Sequence, residues 1–408
     1  MASFSTYVCM YAFRKPFTVA TYDGMAWAGM DYKILLITAQ VIGYMLSKFI
    51  GIKVVSELPP YRRASGILLL IGLAGLALLG FALTPPPYQL IFLFINGLPL
   101  GMVWGLVFGY LEGRQTTELL GAGLSASFIV ASGWVKTVGK WLLLSGIQTH
   151  WMPLLTGLIF TIPLVISVYL LHQLPPPSLE DEQQRTRRAP MNREQRWQLL
   201  RALAPGLTLL IFAYVLLTAF RDFRDNFMAE LWQSLGYGSN ALLFTATEVP
   251  VAVAVLAVMS ILMLIKNNHR ALLLYHLLIG LGFILIGFSL WGLEYSHLPP
   301  PLGMTMVGLG VYLAYVPFNS ILFDRLIATF RYVGTAGFLI YVADACGYLG
   351  SVGVLFYKNV GQSDLSWFNY FVQSGYIISG LGILLISGGG FYFFRQSTSS
   401  LAEKKRLV

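Results

Sequence analysis

The chain has 408 residues and a net charge of +9; 56% of its residues are hydrophobic and only 11% are charged. Soluble domains carry about 25% charged residues, so this composition excludes an ordinary soluble enzyme and indicates a polytopic membrane protein. The basic residues form no clustered surface patch of the kind that nucleic-acid binding requires.

Hydropathy over windows of about 20 residues predicts twelve membrane-spanning helices. They cover residues 3–22, 33–52, 65–84, 88–111, 118–146, 151–172, 205–235, 240–265, 270–292, 301–325, 333–358 and 366–394. We therefore expect an all-α membrane protein with two pseudo-symmetric six-helix bundles, at residues 1–172 and 205–394. Residues 173–204 form a predicted cytoplasmic linker and residues 395–408 a cytoplasmic tail. This layout is typical of a transporter built from two repeated bundles.

The first predicted helix carries Arg14 and Lys15 near its middle. A cation at that depth costs at least a few kcal/mol on insertion scales, so it marks a site unless it snorkels or is structurally neutralised. Tyr7, Tyr11 and Arg14 are spaced i, i+4, i+7 and therefore share one helix face. Pro16 should loosen or bend the helix beside the two cations. The segment has no basic n-region and no small-residue cleavage site, so we expect no cleaved signal peptide.

Two lysines interrupt the fifth predicted helix. Lys136 and Lys140 are spaced i, i+4 and share a face that should not point into lipid. Lys136 is nearer the middle of the span and is the better candidate ligand. Snorkelling of Lys140 to the outer interface is the alternative for that residue.

The seventh predicted helix contains Arg221, Asp222, Arg224 and Asp225. Alternating charges on one helix can pair locally, so a structural network is one interpretation. The other is that one arginine faces a cavity. The first and seventh helices are equivalent in a two-repeat fold, so Arg14 and Arg221 should then converge. Two guanidinium groups suit a divalent or bulky anion, because each can form bidentate, charge-assisted hydrogen bonds.

Two more ionisable residues fall inside predicted spans, Glu248 in the eighth and Asp344 in the eleventh. Each carboxylate suits a counter-ion to the empty site or a proton carrier. Structural pairing is the alternative for both. Cys9 and Cys346 also lie inside predicted spans and suit neither a disulfide framework nor a metal site.

The distribution of Lys and Arg predicts the orientation in the membrane. Most of the 27 basic residues fall in loops on one side, whereas the opposite loops hold only Lys33 and Lys358. We therefore expect an integral protein, of a bacterial inner membrane, with both termini and the linker in the cytoplasm. The even helix count agrees with this.

Several motifs resemble those of the organophosphate:phosphate antiporter family of the major facilitator superfamily. They are Tyr7, Tyr11, Arg14, Lys15 and Phe17 in the first helix; GYMLSKFIGIKVVSELPPYRR from Gly43 to Arg63; Gly101-Met102-Val103-Trp104; Lys136-Thr137-Val138-Gly139; Tyr315-Val316-Pro317; and GTAGF from Gly334 with GYLGS from Gly347. The resemblance covers most of the chain at the level of motifs. The second and last of these motifs are fairly specific together.

The resemblance implies the major facilitator fold and a rocker-switch exchanger in which one arginine from each half holds the substrate phosphate. Arg14 matches the first arginine, and Arg221 is the closer candidate for the second, with Arg224 still open. Lys136 stands where the family has a substrate-binding histidine, which keeps a positive charge but removes a group that titrates near neutral pH. Pro16 replaces an asparagine of the family, and Asp344 has no counterpart that can be carried over.

Together these patterns predict a secondary transporter that exchanges an organic anion, a phosphorylated metabolite, for inorganic phosphate. The predicted substrate-binding residues are Arg14, Arg221, Lys136, Tyr7, Tyr11, Lys15, Arg224 and Lys140, and the predicted coupling or counter-ion residues are Asp344 and Glu248. A proton-coupled organic-anion symporter and a transporter-like sensor that binds ligand without flux are the alternatives. We expect no enzyme activity, cofactor, metal or nucleic-acid partner, and a monomer in the lipid bilayer.

Overall fold

A computed structural model describes residues 1–111, 117–175, 193–330, 336–361 and 365–406 of the chain. Arg114, most of the predicted linker (176–192) and Gly334 of the GTAGF motif lie outside the described residues. The described residues divide into two compact units. The first comprises Met1–Gln183, Asp222–Ala252 and Val352–Phe371, and the second comprises Gln184–Arg221, Val253–Ser351 and Val372–Val408. The predicted domain boundaries stay a prediction.

The described residues up to 175 are mostly helical. In chain order the elements are α1 (Ala2–Tyr11), a 3-10 helix (Pro16–Val19), the two-residue strands β1 (Ala26–Trp27) and β2 (Met30–Asp31), α2 (Tyr32–Glu57), a 3-10 helix (Pro60–Arg62), α3 (Arg63–Leu83), α4 (Gln89–Phe108), α5 (Thr117–Leu144), α6 (Met152–Ile159) and α7 (Thr161–His172). The strands pair antiparallel, Ala26 with Asp31 and Trp27 with Met30.

The described residues from 193 onwards are also helical. They form α8 (Arg193–Asn226), α9 (Met228–Ser234), α10 (Leu243–Ala246), α11 (Glu248–Met263), α12 (Asn268–Glu294), α13 (Pro300–Ser320), α14 (Leu322–Phe330), α15 (Ala336–Gly361) and α16 (Trp367–Arg406). Residues 193–203 belong to α8, so the helix begins well before the predicted seventh span and continues into it without a break.

Within the described ranges, nine helices are long and apolar enough to cross a membrane, and the pair α6 and α7, bent by 43°, makes a tenth candidate. The other two predicted spans correspond to α1 with its 3-10 helix and to α5, which carries Lys136 and Lys140. Apolar side chains on these helices face outwards, as on α3, where Leu69, Leu76 and Leu83 are 64%, 65% and 66% exposed. Such surfaces suit lipid contact and confirm an all-α integral membrane protein.

The structure corrects several predicted helix boundaries. The first helix ends at Tyr11 and not at Tyr22, because Pro16 has no backbone N–H and starts a separate 3-10 helix. The seventh span breaks at Phe227, between α8 and α9, and the eighth breaks at Thr247, between α10 and α11. These breaks place backbone polar groups beside the charged residues of the first unit.

Helices α2 and α4 approach each other closely because glycines line their contact. A Cβ added at Gly97 would meet the Gln40 carbonyl oxygen at 2.3 Å and the Tyr44 nitrogen at 2.8 Å. A Cβ at Gly101 would meet the Tyr44 carbonyl oxygen at 2.7 Å. Small residues allow such backbone approach in membrane helices. This packing fixes the position of Tyr44, which matters for the site described next.

Candidate functional site

The interruption of the first helix is stabilised by amide side chains from neighbouring helices of the first unit. Asn96 of α4 donates to the Phe13 carbonyl at 3.0 Å and to the Ala74 carbonyl at 3.0 Å. Gln40 of α2 donates to the Arg14 carbonyl at 2.9 Å. Unwound backbone inside a membrane needs such partners, because lipid offers none. Near Pro16, where the sequence predicted a loosened or bent helix, the structure has a full break, and two buried amides hold it in place.

Arg14 lies at this break, against an aromatic wall. Its guanidinium carbon is 3.8 Å from the centre of the Tyr44 ring and 5.8 Å from that of Tyr11. Tyr7 and Tyr11 pack edge to face with ring centres 5.5 Å apart. The structure thus brings Tyr7, Tyr11 and Arg14 together, as their shared helix face predicted. Tyr44 also contacts Arg14, which the sequence did not indicate. Contact with a ring face orients the planar guanidinium group.

A buried carboxylate, Asp225, binds two of the predicted cationic ligands in the first unit. Lys15 contacts one carboxylate oxygen, and Lys136 lies 2.5 Å from the other. Lys15 also donates to the Asn226 side chain at 2.8 Å, and the Ser132 hydroxyl donates to Asp225. One carboxylate therefore compensates two lysines in a region with almost no exposure.

A second buried ion pair in this unit joins Lys33 and Glu230. Lys33 also donates to the Thr18 carbonyl at 2.7 Å and lies 5.3 Å from the Phe227 ring centre. Lys33 was expected in a loop, so this pair was not predicted from the sequence. A signal was present, since Glu230 falls inside the predicted seventh span, where a carboxylate needs a partner.

Arg224 pairs with Glu248. A guanidinium nitrogen lies 2.7 Å from a carboxylate oxygen, and both side chains are 2% exposed. The contact joins α8 to the start of α11. Close beside it, a Cβ added at Gly133 of α5 would meet the Phe244 carbonyl oxygen at 2.3 Å. Arg224 and Asp225 therefore pair with residues outside their own helix, whereas pairing along one helix was one of the two interpretations of this segment.

Lys140 does not join the Asp225 cluster. It lines a cavity of about 790 Å³ in the first unit, together with Tyr22, Asp23, His150 and Gln233. Asp23 is exposed, and Lys140 and His150 are partly buried. The structure thus separates Lys140 from Lys136, although the two share a helix face.

The second unit contains its own polar cluster around Arg221. The guanidinium carbon of Arg221 lies 4.0 Å from the centre of the Tyr315 ring. Tyr315 stacks on Tyr214 with ring centres 5.1 Å apart, and the Tyr214 hydroxyl donates to the Asp344 carboxylate at 2.5 Å. Asn319 donates to the Tyr214 oxygen at 3.1 Å. Arg221 and Asp344 are thus linked through two tyrosines, neither of which the sequence analysis had assigned to the site.

The predicted site residues consequently fall into two sets. Arg14, Lys15, Lys136, Lys140, Arg224, Glu248, Tyr7 and Tyr11 belong to the first unit, and Arg221 and Asp344 belong to the second. In each set a guanidinium rests on a tyrosine ring from another helix. Among the described residues, no group of three or more His, Cys, Asp or Glu side chains is placed to hold a metal ion.

Solved structures of two transporters have a similar architecture. The chain is similar to the crystal structure of a D-xylose–proton symporter, with 15% identity, a TM-score of 0.60, and coverage of 94% of each chain. It is also similar to a crystal structure of the nucleoside transporter NupG in a point-mutant form, with 12% identity, a TM-score of 0.60, and coverage of 97% of this chain and 98% of that one. At these identities the likeness shows the fold alone, and it confirms the predicted major facilitator fold.

A search of curated protein sequences finds no match to the chain. A family model with the description "Family of unknown function (DUF5690)" matches residues 16–396. This range covers most of the chain and begins two residues after Arg14, so the chain belongs to the DUF5690 family.

Proposed function

We propose that this protein is a secondary transporter of an organic anion, exchanged for inorganic phosphate by rocker-switch alternating access. The proposed substrate is a phosphorylated metabolite, as the resemblance to the organophosphate:phosphate antiporters implies. Two solved transporters of sugars and nucleosides have the same fold, which supports transport in general. The nature of the anion and the exchange with phosphate are our inference from the charged residues.

The observation that carries this proposal is the matching surroundings of Arg14 and Arg221. Each guanidinium group lies against a tyrosine ring. The guanidinium carbon of Arg14 is 3.8 Å from the centre of the Tyr44 ring, and that of Arg221 is 4.0 Å from the centre of the Tyr315 ring. Stacking on the ring face orients the planar fork while its N–H groups point outwards from the edge. A fork of this kind suits the oxygens of a phosphate, through a bidentate pair of hydrogen bonds.

Arg221 is the better second clamp residue, and Arg224 the weaker. The Arg224 guanidinium already faces Glu248 at 2.7 Å, and both are almost fully buried. Binding an anion there would require the loss of a buried ion pair, which is strongly destabilising. Arg221 is partly exposed within its unit. We assign Arg224 a role in shaping the local field.

The other predicted ligands would act on the anion in different ways. Tyr7 and Tyr11 lie on the Arg14 face and would donate hydrogen bonds to the anion. Lys136 and Lys15 face Asp225, so they reach a substrate only when that contact opens. Lys140 lines the separate cavity and would act on the approach of the anion through its charge.

We propose a bacterial inner membrane as the location, with both termini cytoplasmic and the protein acting as a monomer. The support for the orientation is the strong bias of Lys and Arg to one set of loops. Reporter fusions at the two termini and within the loop at Asp23–Ala28 test it. Cytoplasmic signals from both termini, with an external signal from the loop, would agree with the proposal.

Counterflow in proteoliposomes tests the function directly. Vesicles with the purified protein are loaded with inorganic phosphate, and the uptake of labelled phosphorylated sugars, glycerol phosphate and plain carboxylates is measured. We expect uptake of a phosphorylated compound that depends on internal phosphate. Ligand binding without flux would instead favour the sensor, and uptake that needs a pH gradient but no internal phosphate would favour the symporter.

A further inference from the structure

The cavity beside Lys140 lies where several connections of the first unit meet. Its walls come from the segment that follows the first 3-10 helix (19–25), the start of α4, the end of α5 with the connection to α6 (140–150), and the end of α9 with the residues after it (229–239). Its volume is about 790 Å³. Cavities of roughly 300–1,000 Å³ accommodate small organic ligands. Arg14 is not among the described residues that line this cavity, so the cavity is distinct from the proposed anion clamp.

Lys140 brings to the cavity a positive charge that no described residue neutralises. Its side chain is partly buried, and it forms neither a hydrogen bond nor an ion pair with any described residue. By contrast, the other lysines of this unit at Lys15, Lys33 and Lys136 each contact a carboxylate. A cation that is partly withdrawn from water attracts an anion more strongly than a cation on an open surface, because the local dielectric constant is lower. Lys140 is therefore the anchor that this cavity offers to an anionic group.

Tyr22, on another wall of the cavity, is strained and lacks a hydrogen-bond partner. Its φ of 56° lies in the left-handed region, which a bulky side chain rarely adopts. The residue is 8% exposed and packs edge to face on Tyr32, with ring centres 6.0 Å apart. Its hydroxyl is buried and has no hydrogen-bond partner among the described residues, whereas buried hydroxyl groups nearly always have one. Strained residues gather at ligand sites, so both observations point to a polar ligand at this cavity.

Asp23 decides which kind of anion suits the cavity. Its carboxylate lines the cavity, is exposed, and accepts a hydrogen bond from the Thr21 hydroxyl at 2.8 Å. The negative charge opposes a bare inorganic anion, but a carboxylate has further lone pairs that accept hydrogen bonds from a ligand. Other polar side chains of the lining can both donate and accept; they are Thr149, His150, Gln233 and Ser239. Hydroxyl groups on a ligand match such a lining, because they also donate and accept.

We propose that this cavity is a binding site for a small organic anion that carries several hydroxyl groups. Lys140 binds the carboxylate or phosphate group of the ligand, and Asp23 accepts hydrogen bonds from its hydroxyl groups. Sugar acids and polyol phosphates have this chemistry. The site lies apart from Arg14, so the inference goes beyond the proposed function and does not depend on exchange with phosphate.

A cysteine placed in the cavity wall reports on its occupancy. Ser239 is exposed and lines the cavity, so Ser239→Cys is introduced into the full chain after Cys9 and Cys346 are replaced by alanine. The rate of modification by a maleimide is measured in detergent with gluconate, glycerol phosphate, glycerol or sulfate. Gluconate or glycerol phosphate at about ten times its dissociation constant fills most of the sites, so modification should slow roughly tenfold. Glycerol lacks the charge and sulfate lacks the hydroxyl groups, so both should leave the rate nearly unchanged.

Variants of the two charged residues make the result specific. Lys140→Gln should abolish the protection, whereas Lys140→Arg keeps the charge and should retain most of it. Asp23→Ala removes the opposing charge, so sulfate should then protect the cysteine. Lys266→Gln is the matched control at an exposed lysine of the second unit, and it should leave the protection by gluconate unchanged. A cysteine at Ser145, which is exposed at the end of α5 but does not line the cavity, should be modified at the same rate with every probe.

The outcomes separate this site from the proposed function. Equal rates with and without gluconate and glycerol phosphate overturn the site, and so does protection that survives Lys140→Gln or that occurs equally at the Ser145 position. Should Lys140→Gln fail to fold, the response of Asp23→Ala to sulfate decides. Arg14→Lys should leave the protection intact, since Arg14 does not line the cavity. Protection without phosphate exchange would support this site and contradict the proposed function, and exchange without protection would do the reverse.

Discussion

The ammonium group of Lys136 in α5 lies 2.5 Å from a carboxylate oxygen of Asp225 in α8. The other oxygen of the same carboxylate contacts Lys15, just before the 3-10 helix. Asp225 therefore supplies the negative charge for two buried lysines at once. A carboxylate that joins two cations from separate segments is expected to be essential to the first unit.

Removing the charge of Asp225 should destabilise the protein. Asp225→Asn keeps the shape of the side chain but leaves Lys15 and Lys136 without their carboxylate. Loss of one partner from a buried ion pair costs about 3–5 kcal/mol of the free energy of unfolding. Thermal unfolding of the purified variant in detergent should show a clear drop in midpoint. Added phosphate should raise the variant's midpoint more than that of wild type, because an anion can replace the lost charge.

Asp23→Asn is the control for that experiment, since Asp23 is exposed and accepts its hydrogen bond from Thr21 at 2.8 Å. Its midpoint should stay close to that of wild type. An Asp225→Asn protein as stable as the control would mean that the two lysines do not need this carboxylate.

The pair Lys33–Glu230 should behave as a coupled unit. Lys33→Met or Glu230→Gln alone leaves one buried charge without its partner, and each should lower the stability by about 3–5 kcal/mol. The double variant removes both charges and should lose less than the sum of the two single losses. Thermal unfolding of the four proteins gives the coupling energy. Additive losses would show that the pair contributes nothing beyond its separate side chains.

The amide of Asn96 should be needed to hold the broken first helix. Asn96→Leu has a similar volume but leaves the carbonyls of Phe13 and Ala74 without this donor. A buried acceptor that loses its hydrogen bond costs about 1–3 kcal/mol. The measured stability should fall by that amount, and Arg14-dependent anion binding should weaken with it. Unchanged stability would indicate that the carbonyls find other donors.

A side chain at Gly97 should displace Tyr44 from its place beside Arg14. The added Cβ of Gly97→Ala would meet backbone atoms at 2.3 Å and 2.8 Å, which cannot move without separating α2 from α4. Overpacking of this kind costs about 1–3 kcal/mol. Gly72→Ala in α3 is the matched control, because nothing lies within 4 Å of its added Cβ. Equal stabilities of the two alanine variants would contradict the close packing.

The sequence predicted the membrane-spanning class, a loosened or bent first helix at Pro16 and the shared face of Tyr7, Tyr11 and Arg14. These features depend on local periodicity and on proline chemistry, which a single sequence carries. The partners of the charges could not be predicted in the same way. Asp225 lies one residue from Arg224, yet its contacts are with Lys15 and Lys136, from distant parts of the chain.

Other features required the three-dimensional arrangement as well. In the sequence, Tyr44 and Tyr315 are ordinary aromatic residues of apolar helices. Only the packing of the helices shows that each ring contacts an arginine. Lys33 lies at the edge of a predicted span, where hydropathy cannot separate a loop residue from a buried one. Glu230 could have predicted that Lys33 is buried and paired. A carboxylate inside a predicted span signals a cationic partner elsewhere in the chain.

The measurement that most directly tests the anion clamp is phosphate counterflow with Arg14→Lys and Arg221→Lys in proteoliposomes. Each variant keeps the positive charge but loses the planar fork, so we expect exchange to fall at least tenfold, about 1.4 kcal/mol or more. Arg270→Lys, at an exposed arginine near the start of α12, should exchange phosphate like wild type. Wild-type exchange rates in both clamp variants would contradict the account.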